Sequence, residues 1–208
     1  MSLTRAKEYI RKLHSKQSNP DLWPDFLTGL PDKAAVLRRV NETLPRLGTQ
    51  AVAYVRIANI NPYLLKYGAE HHAELVQWAA AVLRTIADDY GRGYFVGAVK
   101  THDFVVVGRT PNVEGIVRKA NSLFLKRTRN MYSEQDLERG YIISFQKGRA
   151  RVNIGLMRLI HVLAESSCSL GQSEFMATLQ ELCSEAEYQG ALSTRLTPDA
   201  LVMARPRA

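Results

Sequence analysis

The feature that most constrains the fold is residues 96–107, where two apolar runs flank a short polar segment. Residues 96–99 and 104–107 consist of Val, Ala, Gly and Phe, and the Lys-Thr-His-Asp segment at residues 100–103 lies between them. Two apolar runs joined by so short a polar connection predict an antiparallel β-hairpin. Because segments with helical periodicity lie on both sides of this hairpin, the pattern argues against an all-parallel sheet.

The order of the predicted elements favours an α+β fold with a central mixed sheet of about five strands and helices on both faces. In the first half we expect a helix capped by Asp32 and ended by Gly48, a strand at 51–57, helices at 61–67 and 71–89, and the hairpin at 94–108. In the second half we expect a helix at 112–129, a brief helix after Ser133, strands at 141–145 and 152–163, a helix capped by Ser173, and an edge strand at 200–204.

Length and composition favour one domain preceded by a short basic helix. The 208 residues, 46% of them hydrophobic, suffice for one substantial core. Residues 3–16 have apolar side chains at helical spacing, and the Pro-containing stretch after them indicates a linker. We therefore expect residues 1–24 to be a helix and linker, and residues 25–208 to be the domain. The helix either packs on that domain or continues a coiled coil from a preceding domain.

Cysteine usage, hydropathy and charge limit the compartment and the partners. Cys168 and Cys183 are isolated in the sequence, which is typical of a reducing compartment. The chain has neither an apolar run of about 20 residues nor a signal sequence, so we expect a cytoplasmic protein without a membrane span, or the cytoplasmic piece of a longer protein. The net charge of +8 is compatible with binding nucleic acid, nucleotide or acidic lipid. Because the cations are scattered and lack interleaved aromatic residues, nucleic-acid binding is not predicted.

The histidines do not form a recognisable site in the sequence. His71 and His72 open a predicted helix, and adjacent residues do not share a helix face, so a surface pair is favoured over a metal site. His14 and His161 have no potential partner at the spacing of metal ligands.

Several segments of the chain match the pattern of one known domain. Asp-Phe-Leu-Thr-Gly-Leu-Pro at residues 25–31 is followed by a strand and turn at residues 54–68, and Lys-Thr-His-Asp-Phe occupies residues 100–104. With these motifs, residues 25–204 resemble a GGDEF domain, the diguanylate cyclase module of bacterial cyclic di-GMP signalling. Residues 131–143 also resemble an insertion found in a subgroup of these domains, many of them attached to receiver modules. The resemblance implies a palm-like nucleotide-cyclase fold in which GTP is bound with two divalent cations.

The resemblance places altered residues at the positions that hold the metal ions in the family. The strand aspartate falls on Arg56, which would repel a cation, and the acidic residue of the turn falls on His102, a poor ligand for Mg²⁺. Asp103, at the fourth signature position, remains acidic. Because the implied fold brings Asp103 close to Arg56 and Lys100, we expect it to be an ion-pair partner of one of them. We therefore expect no metal ion and no cofactor.

Positions that contact the nucleotide in the family are altered as well. Lys100 and Thr101 replace the two glycines that let phosphates approach the backbone. The base-recognising asparagine and aspartate fall on Leu64 and Ala73, and the inhibitory product motif falls on Gly-Arg-Gly-Tyr at residues 91–94. The resemblance thus implies no catalytic residue and a set of vestigial site positions: Arg56, Lys100, Thr101, His102 and Asp103.

The resemblance, together with the altered residues at the metal and nucleotide positions, leaves three possible functions. The first is a catalytically inactive GGDEF-like signalling domain, which acts through contacts with a protein partner or an attached sensory or receiver domain, with a homodimer as one such arrangement. The second is a metal-independent receptor for a nucleotide or cyclic di-GMP, in which Arg56, Lys100 and His102 form a cationic pocket for phosphate. The third and least favoured is a residual diguanylate cyclase, because such an enzyme needs at least two acidic metal ligands.

Overall fold

A computed structural model describes residues 25–145 and 151–197 of the chain. The helices are α1 (Lys33–Thr43), α2 (Ile60–Tyr67), α3 (His72–Asp89), α4 (Thr110–Thr128), α5 (Glu134–Arg139) and α6 (Gln172–Gln189). The strands are β1 (Gln50–Ala58), β2 (Phe95–Lys100), β3 (Asp103–Arg109), β4 (Tyr141–Phe145), β5 (Arg151–Gly155), β6 (Arg158–Ala164) and β7 (Ser193–Arg195). The helix and linker predicted for residues 1–24 and the edge strand predicted at 200–204 lie outside the described residues.

The central sheet has five strands in the order β2-β3-β1-β6-β7. Its pairs are antiparallel except for β6 and β7, which run parallel, so the sheet is mixed. β4 and β5 form a separate two-stranded hairpin. The predicted α+β class, the five-stranded mixed sheet and the predicted hairpin are confirmed.

Helices cover both faces of the sheet because β1 is apolar on both of its faces. Val55 and Ile57 belong to a core that includes residues of α2, α3 and α4. Val52 and Tyr54 point to the opposite face and join a second core with α1 and α6. Side chains alternate along a strand, so Arg56 lies on the same face as Tyr54 and faces α6. This alternation places the only charged residue of β1 at the edge of the second core.

Two of the predicted helix caps are present. The Asp32 side chain accepts a hydrogen bond from the backbone N–H of Ala35 at 3.0 Å, and Ser133 accepts one from Asp136 at 3.3 Å. The predicted cap at Ser173 is wrong, because α6 begins at Gln172 and its N-cap is Gly171, in an extended conformation two residues before Ser173. The extended backbone at Gly171 sets the helix start without a side-chain cap.

The single strand predicted at residues 152–163 is also wrong, because the structure has two strands there. Leu156 and Met157 separate β5 from β6. The Tyr132 hydroxyl accepts a hydrogen bond from the backbone N–H of Met157 at 2.7 Å, and the Asn59 side-chain amide donates one to the Leu156 carbonyl at 3.4 Å. These side chains bind backbone groups that a continuous strand would use in its ladder.

None of the helices within residues 25–145 and 151–197 combines the length and the apolar composition that a membrane crossing requires.

Candidate functional site

The end of β1 and the turn between β2 and β3 meet at one cleft. Arg56 and Asp103 are direct partners in the antiparallel register of β1 and β3. The backbone N–H of Ile57 donates a hydrogen bond to the carbonyl of His102 at 3.0 Å, which fixes the turn against β1. The cleft has a volume of about 320 Å³ and is lined by Arg56, Ile57, Ile60, Asn61, Lys100, Thr101, His102, Asp103 and Glu187. The structure therefore brings together all five positions that the sequence singled out.

A two-pronged ion pair joins Arg56 to Asp103. The distance from Arg56 Nε to Asp103 Oδ1 is 2.7 Å, and that from Arg56 Nη2 to Asp103 Oδ2 is 3.2 Å. The two side chains are 14% and 6% exposed, so the pair is shielded from water. The prediction that Asp103 lies near Arg56 or Lys100 is confirmed for Arg56. Fork geometry between a guanidinium and a carboxylate is the strongest arrangement available to such a pair.

The phenol of Tyr54 completes the surroundings of the Asp103 carboxylate. Tyr54 is fully buried, and its hydroxyl donates a hydrogen bond to Asp103 Oδ2 at 2.8 Å. Burial, followed by the charge of Asp103, raises the pKa of Tyr54, so the phenol stays protonated and remains a donor. Both oxygens of Asp103 are therefore engaged by groups of the protein.

Helix α6 contributes a second carboxylate to the cleft. Glu187 Oε2 lies 3.4 Å from Arg56 Nη1, and Glu187 Oε1 accepts a hydrogen bond from the backbone N–H of Asn59 at 2.9 Å. Ser184, on the same face of α6, accepts a hydrogen bond from Arg56 Nη1 at 2.8 Å. Arg56 thus lies between two carboxylates, and these three side chains have a net charge of −1.

The side chain of Lys100 is directed towards α6, although its backbone is paired with Asp103 in the hairpin. Its Nζ donates a hydrogen bond to Gln180 Oε1 at 2.8 Å. Gln180, Ser184 and Glu187 are spaced four and three residues apart, which places them on one face of α6. This face of α6 therefore binds the turn through Lys100 and β1 through Arg56.

His102 faces a second histidine across the turn. The Nε2 atoms of His102 and His72 are 2.7 Å apart, and the two rings are nearly perpendicular at 89°. Burial, followed by His72, lowers the pKa of His102. The prediction of a surface pair at His71 and His72 is wrong for His72, which is half-buried as the first residue of α3. His71 is 51% exposed and lies 3.4 Å from Glu74.

Solved structures with a similar fold contain GGDEF domains. The coiled coil and GGDEF domain of DgcB from Caulobacter crescentus, in complex with c-di-GMP, has a TM-score of 0.60 at 13% identity, over 93% of this chain and 95% of that one. The S helix-GGDEF-EAL structure of Vibrio cholerae LapD, bound to c-di-GMP, has a TM-score of 0.58 at 11% identity, over 93% of this chain and 40% of that one. The diguanylate cyclase SiaD from Pseudomonas aeruginosa, in complex with its activator SiaC, has a TM-score of 0.57 at 12% identity, over 93% of this chain and 68% of that one.

The chain has a GGDEF-domain fold. The likeness is one of fold, since no family model and no curated protein matches the sequence. The expected palm-like architecture is confirmed at this level.

The residues at the metal positions implied by the GGDEF resemblance do not fit Mg²⁺. Hard cations need several oxygen ligands, preferably carboxylates with free lone pairs. Here the Arg56 guanidinium lies against Asp103 and also contacts Glu187. Within the described residues, no group of three or more His, Cys, Asp or Glu side chains is arranged to hold a metal ion.

The positions implied for base recognition also lack suitable groups. Leu64 is partly buried and packs against the core formed with α3 and α4. Ala73, the second residue of α3, is exposed and has no side-chain donor or acceptor. Neither side chain can form a hydrogen bond with the edge of a guanine base.

The sequence analysis missed two residues of the site, Tyr54 and Glu187, and one pairing, that of His72 with His102. Tyr54 fits a strand core position, and nothing in its neighbourhood indicates a bond to Asp103. Glu187 lies 131 residues from Arg56 and is one of several acidic residues of α6. His72 was identified, but its partner is 30 residues away in the turn. These pairings depend on the crossing of distant elements, which local spacing does not encode.

A second, larger cavity lies away from the signature turn. Its volume is about 700 Å³, and α4 and β6 line it with residues that include Arg118, Asn121, Leu159 and His161. Among the described residues, His161 Nε2 is buried without a hydrogen-bond partner. None of the five site positions lines this cavity, so it is separate from the cleft.

Proposed function

We propose that the chain is a catalytically inactive GGDEF-like signalling domain that acts through protein–protein or interdomain contacts. The observation that carries this proposal is the ion pair of Arg56 with Asp103, because it engages the carboxylate that remains in the signature turn. In this proposal residues 25–208 form the domain, residues 1–24 form its helix and linker, and the protein is bacterial and cytoplasmic. Arg56, Lys100, Thr101, His102 and Asp103 are vestigial positions.

Electrostatics supports the absence of catalysis. Phosphoryl transfer with GTP requires metal ions that neutralise the charge developing on the phosphates. To bind such an ion, Asp103 would have to give up its contacts with Arg56 and Tyr54. Breaking a buried ion pair costs about 3–5 kcal/mol because a charge is left without a partner. The freed guanidinium would then repel the incoming cation.

Contacts with other domains or proteins support the signalling part of the proposal. The fold neighbour SiaD is bound to an activator protein, and the DgcB and LapD structures include a coiled coil or further domains. A domain without its own chemistry can still transmit a change of arrangement between such parts. We propose a protein partner, an attached sensory or receiver domain, or a second copy of the chain for this role.

A metal-independent receptor for a nucleotide or cyclic di-GMP is the second candidate. The cleft of about 320 Å³ beside Lys100 and His102 favours it, as do the neighbours solved with c-di-GMP. It is the weaker candidate because Arg56 is already paired with two carboxylates and Lys100 is bonded to Gln180. A residual diguanylate cyclase is the least favoured function.

The test is a cyclase assay on the full chain with GTP and either Mg²⁺ or Mn²⁺, followed by chromatographic detection of cyclic di-GMP. We expect no product above the background, while an active GGDEF cyclase assayed in parallel forms it. Turnover that disappears in Asp103→Asn but persists in the exposed control Glu138→Gln would overturn the inactive assignment.

A thermal-shift series separates the first two functions. GTP, ATP and cyclic di-GMP are added with and without Mg²⁺, and the melting temperature is measured. Ligand at one hundred times its dissociation constant adds about 2.7 kcal/mol to the free energy of unfolding. We expect no shift for a domain that acts through protein contacts. A metal-independent shift that disappears in Lys100→Ala would establish the receptor.

A further inference from the structure

The two histidines at the signature turn have their ring nitrogens aimed at each other. The Nε2 atoms are 2.7 Å apart and the ring centroids 5.0 Å apart, a difference of 2.3 Å. Such a difference arises when each Nε2 lies between its own ring centre and the other ring. His72 comes from the start of α3 and His102 from the turn between β2 and β3, so two separate elements converge on one point.

This arrangement presents two imidazole nitrogens that share one proton. When both rings are neutral, one Nε2 donates an N–H and the other accepts it. A neutral imidazole nitrogen is also a preferred ligand of Zn²⁺, Ni²⁺ and Cu²⁺, although it is a poor ligand of Mg²⁺. When the donating ring changes tautomer, its proton leaves Nε2 and Nδ1 carries the N–H instead, so that both Nε2 lone pairs are available and a metal ion gains two neutral ligands at once.

The movement needed to admit a metal ion is small. Zinc–nitrogen bonds of about 2.0–2.1 Å at a tetrahedral angle place two ligand nitrogens about 3.3 Å apart. The pair observed at 2.7 Å would have to open by about 0.6 Å and tilt at both rings to reach that separation. Both side chains are half-buried, so rotation about their side-chain bonds is not blocked by close packing on every side.

The charges around the pair do not oppose a cation. Asp103 and Glu187 face this end of the cleft with Arg56 between them, which leaves a net charge of −1. The ammonium group of Lys100, which donates to the neutral amide of Gln180, adds one positive charge, so the charges of these four side chains balance. On α3, Glu74 lies 3.4 Å from His71 and is itself paired with Arg127.

We propose that His72 and His102 form a two-histidine site for a borderline divalent cation, with Zn²⁺ as the representative ion. Within the described residues no third His, Cys, Asp or Glu joins the pair, so water completes the coordination on the side of the cleft. The site differs from the Mg²⁺ positions of the GGDEF resemblance in its metal and in its ligand His72. It does not depend on whether the domain is catalytically inactive.

The test is a Zn²⁺ titration of the full chain, prepared without a histidine tag, in competition with a chromophoric chelator at pH 7.5. We expect one Zn²⁺ per chain and no competition from Mg²⁺. His72→Gln and His102→Gln should each weaken binding by about ten-fold or more, because each removes one of two protein ligands. His71→Gln is the matched control, since this adjacent histidine is 51% exposed and its Nδ1 lies 3.4 Å from Glu74, and the variant should bind as the unaltered chain does.

A second measurement keeps the proposal open to contradiction if a variant fails to fold. The imidazole ¹⁵N resonances of the unaltered chain are recorded before and after Zn²⁺ addition, and those of two histidines should shift together. Absence of binding, unchanged affinity in His72→Gln or His102→Gln, or an equal loss in His71→Gln would overturn the site. The pair would then be an ordinary hydrogen bond between imidazoles.

Discussion

Asp103 is the residue that determines the state of the cleft, because its two oxygens accept bonds from both Arg56 and Tyr54. A buried ion pair adds little net stability compared with apolar packing, since both charges lose their hydration. Removing one of the two partners lowers the stability strongly, because the charge of the other partner then stays buried without compensation. The pair therefore fixes the local structure more than it contributes to the total stability.

Replacing Asp103 with Asn tests that cost. We expect the free energy of unfolding to fall by about 3 kcal/mol, at the lower end of the usual range because Glu187 still lies 3.4 Å from Arg56. Urea denaturation measures the change. The matched control is Asp88→Asn, which breaks the exposed pair of Asp88 with Arg84 and should cost no more than about 1 kcal/mol. Equal losses in the two variants would contradict the account of a buried pair.

Restoring two acidic residues at the implied metal positions should not restore catalysis. In Arg56→Asp with His102→Glu, Lys100 and Thr101 still occupy the phosphate side of the turn, and Leu64 and Ala73 still cannot bind the base. The new Asp at position 56 would also face Asp103 directly across the strand register, with no cation between them. We expect no cyclic di-GMP from GTP and Mg²⁺. Catalytic groups act together, so restoring the two metal ligands does not compensate for the altered phosphate and base positions. Product formation by this double variant alone would show that the other altered positions matter little.

At the scale of elements, β2 packs closely against α1 at Gly97. A Cβ atom built on Gly97 would lie 2.4 Å from Cγ2 of Val36, a fully buried residue of α1. A β-branched side chain in a packed core cannot move aside freely. The glycine thus allows the helix to approach the strand that leads into the signature turn.

Gly97→Ala should therefore lower the free energy of unfolding by about 1–3 kcal/mol through overpacking. Chemical denaturation of the variant gives the value. Gly171→Ala is the control, because a Cβ at Gly171 meets nothing within 4 Å, and we expect a loss no larger than about 1 kcal/mol at this helix cap. If Gly97→Ala is as stable as the unaltered chain, the close contact between β2 and α1 at Gly97 and Val36 is contradicted.

Elements set by neighbouring residues could be predicted from the sequence, whereas those set by distant residues could not. Apolar alternation and helical periodicity predicted the hairpin, the long helices and the caps at Asp32 and Ser133, because these depend on neighbouring residues. The break at Leu156 and Met157 was not predicted, since it depends on Tyr132 and Asn59 binding backbone groups from elsewhere in the chain. Likewise, the pairing of Arg56 with Asp103 followed from the implied fold, whereas the contribution of Glu187 required the position of α6.

At the scale of the whole molecule, a histidine with a strongly lowered pKa lies within the sheet and outside the cleft at the signature turn. His161 is on β6, a strand of the five-stranded sheet that lies next to β1, and is 4% exposed. Burial lowers its pKa to about 4, with Arg195 and Arg118 adding to the effect and Glu114 opposing it. A protonated imidazole at this position would be a buried charge within the sheet.

Stability should consequently decline on acidification. In the unfolded chain His161 binds a proton near pH 6.5, whereas in the folded chain it does so near pH 4, so the unfolded state binds more protons between these values. The free energy of unfolding should fall as the pH drops from about 6.5 to about 4, by up to about 3 kcal/mol from this group. The lowered pKa of His102 acts in the same direction. Urea denaturation at several pH values gives the slope, which should flatten in His161→Gln and remain unchanged in His71→Gln.

The hydrogen bond between the Asn59 amide and Glu187 has a consequence for hydrogen exchange. This amide directly follows β1 and its acceptor is a side chain of α6 at 2.9 Å, whereas the amides of β1 bond within the sheet. Its exchange rate therefore reports the detachment of one helix, while the amides of Tyr54 and Val55 report the opening of the sheet. A binding partner that moves α6 would accelerate exchange at Asn59 and leave the β1 core protected, which makes one amide a local sensor of interdomain communication.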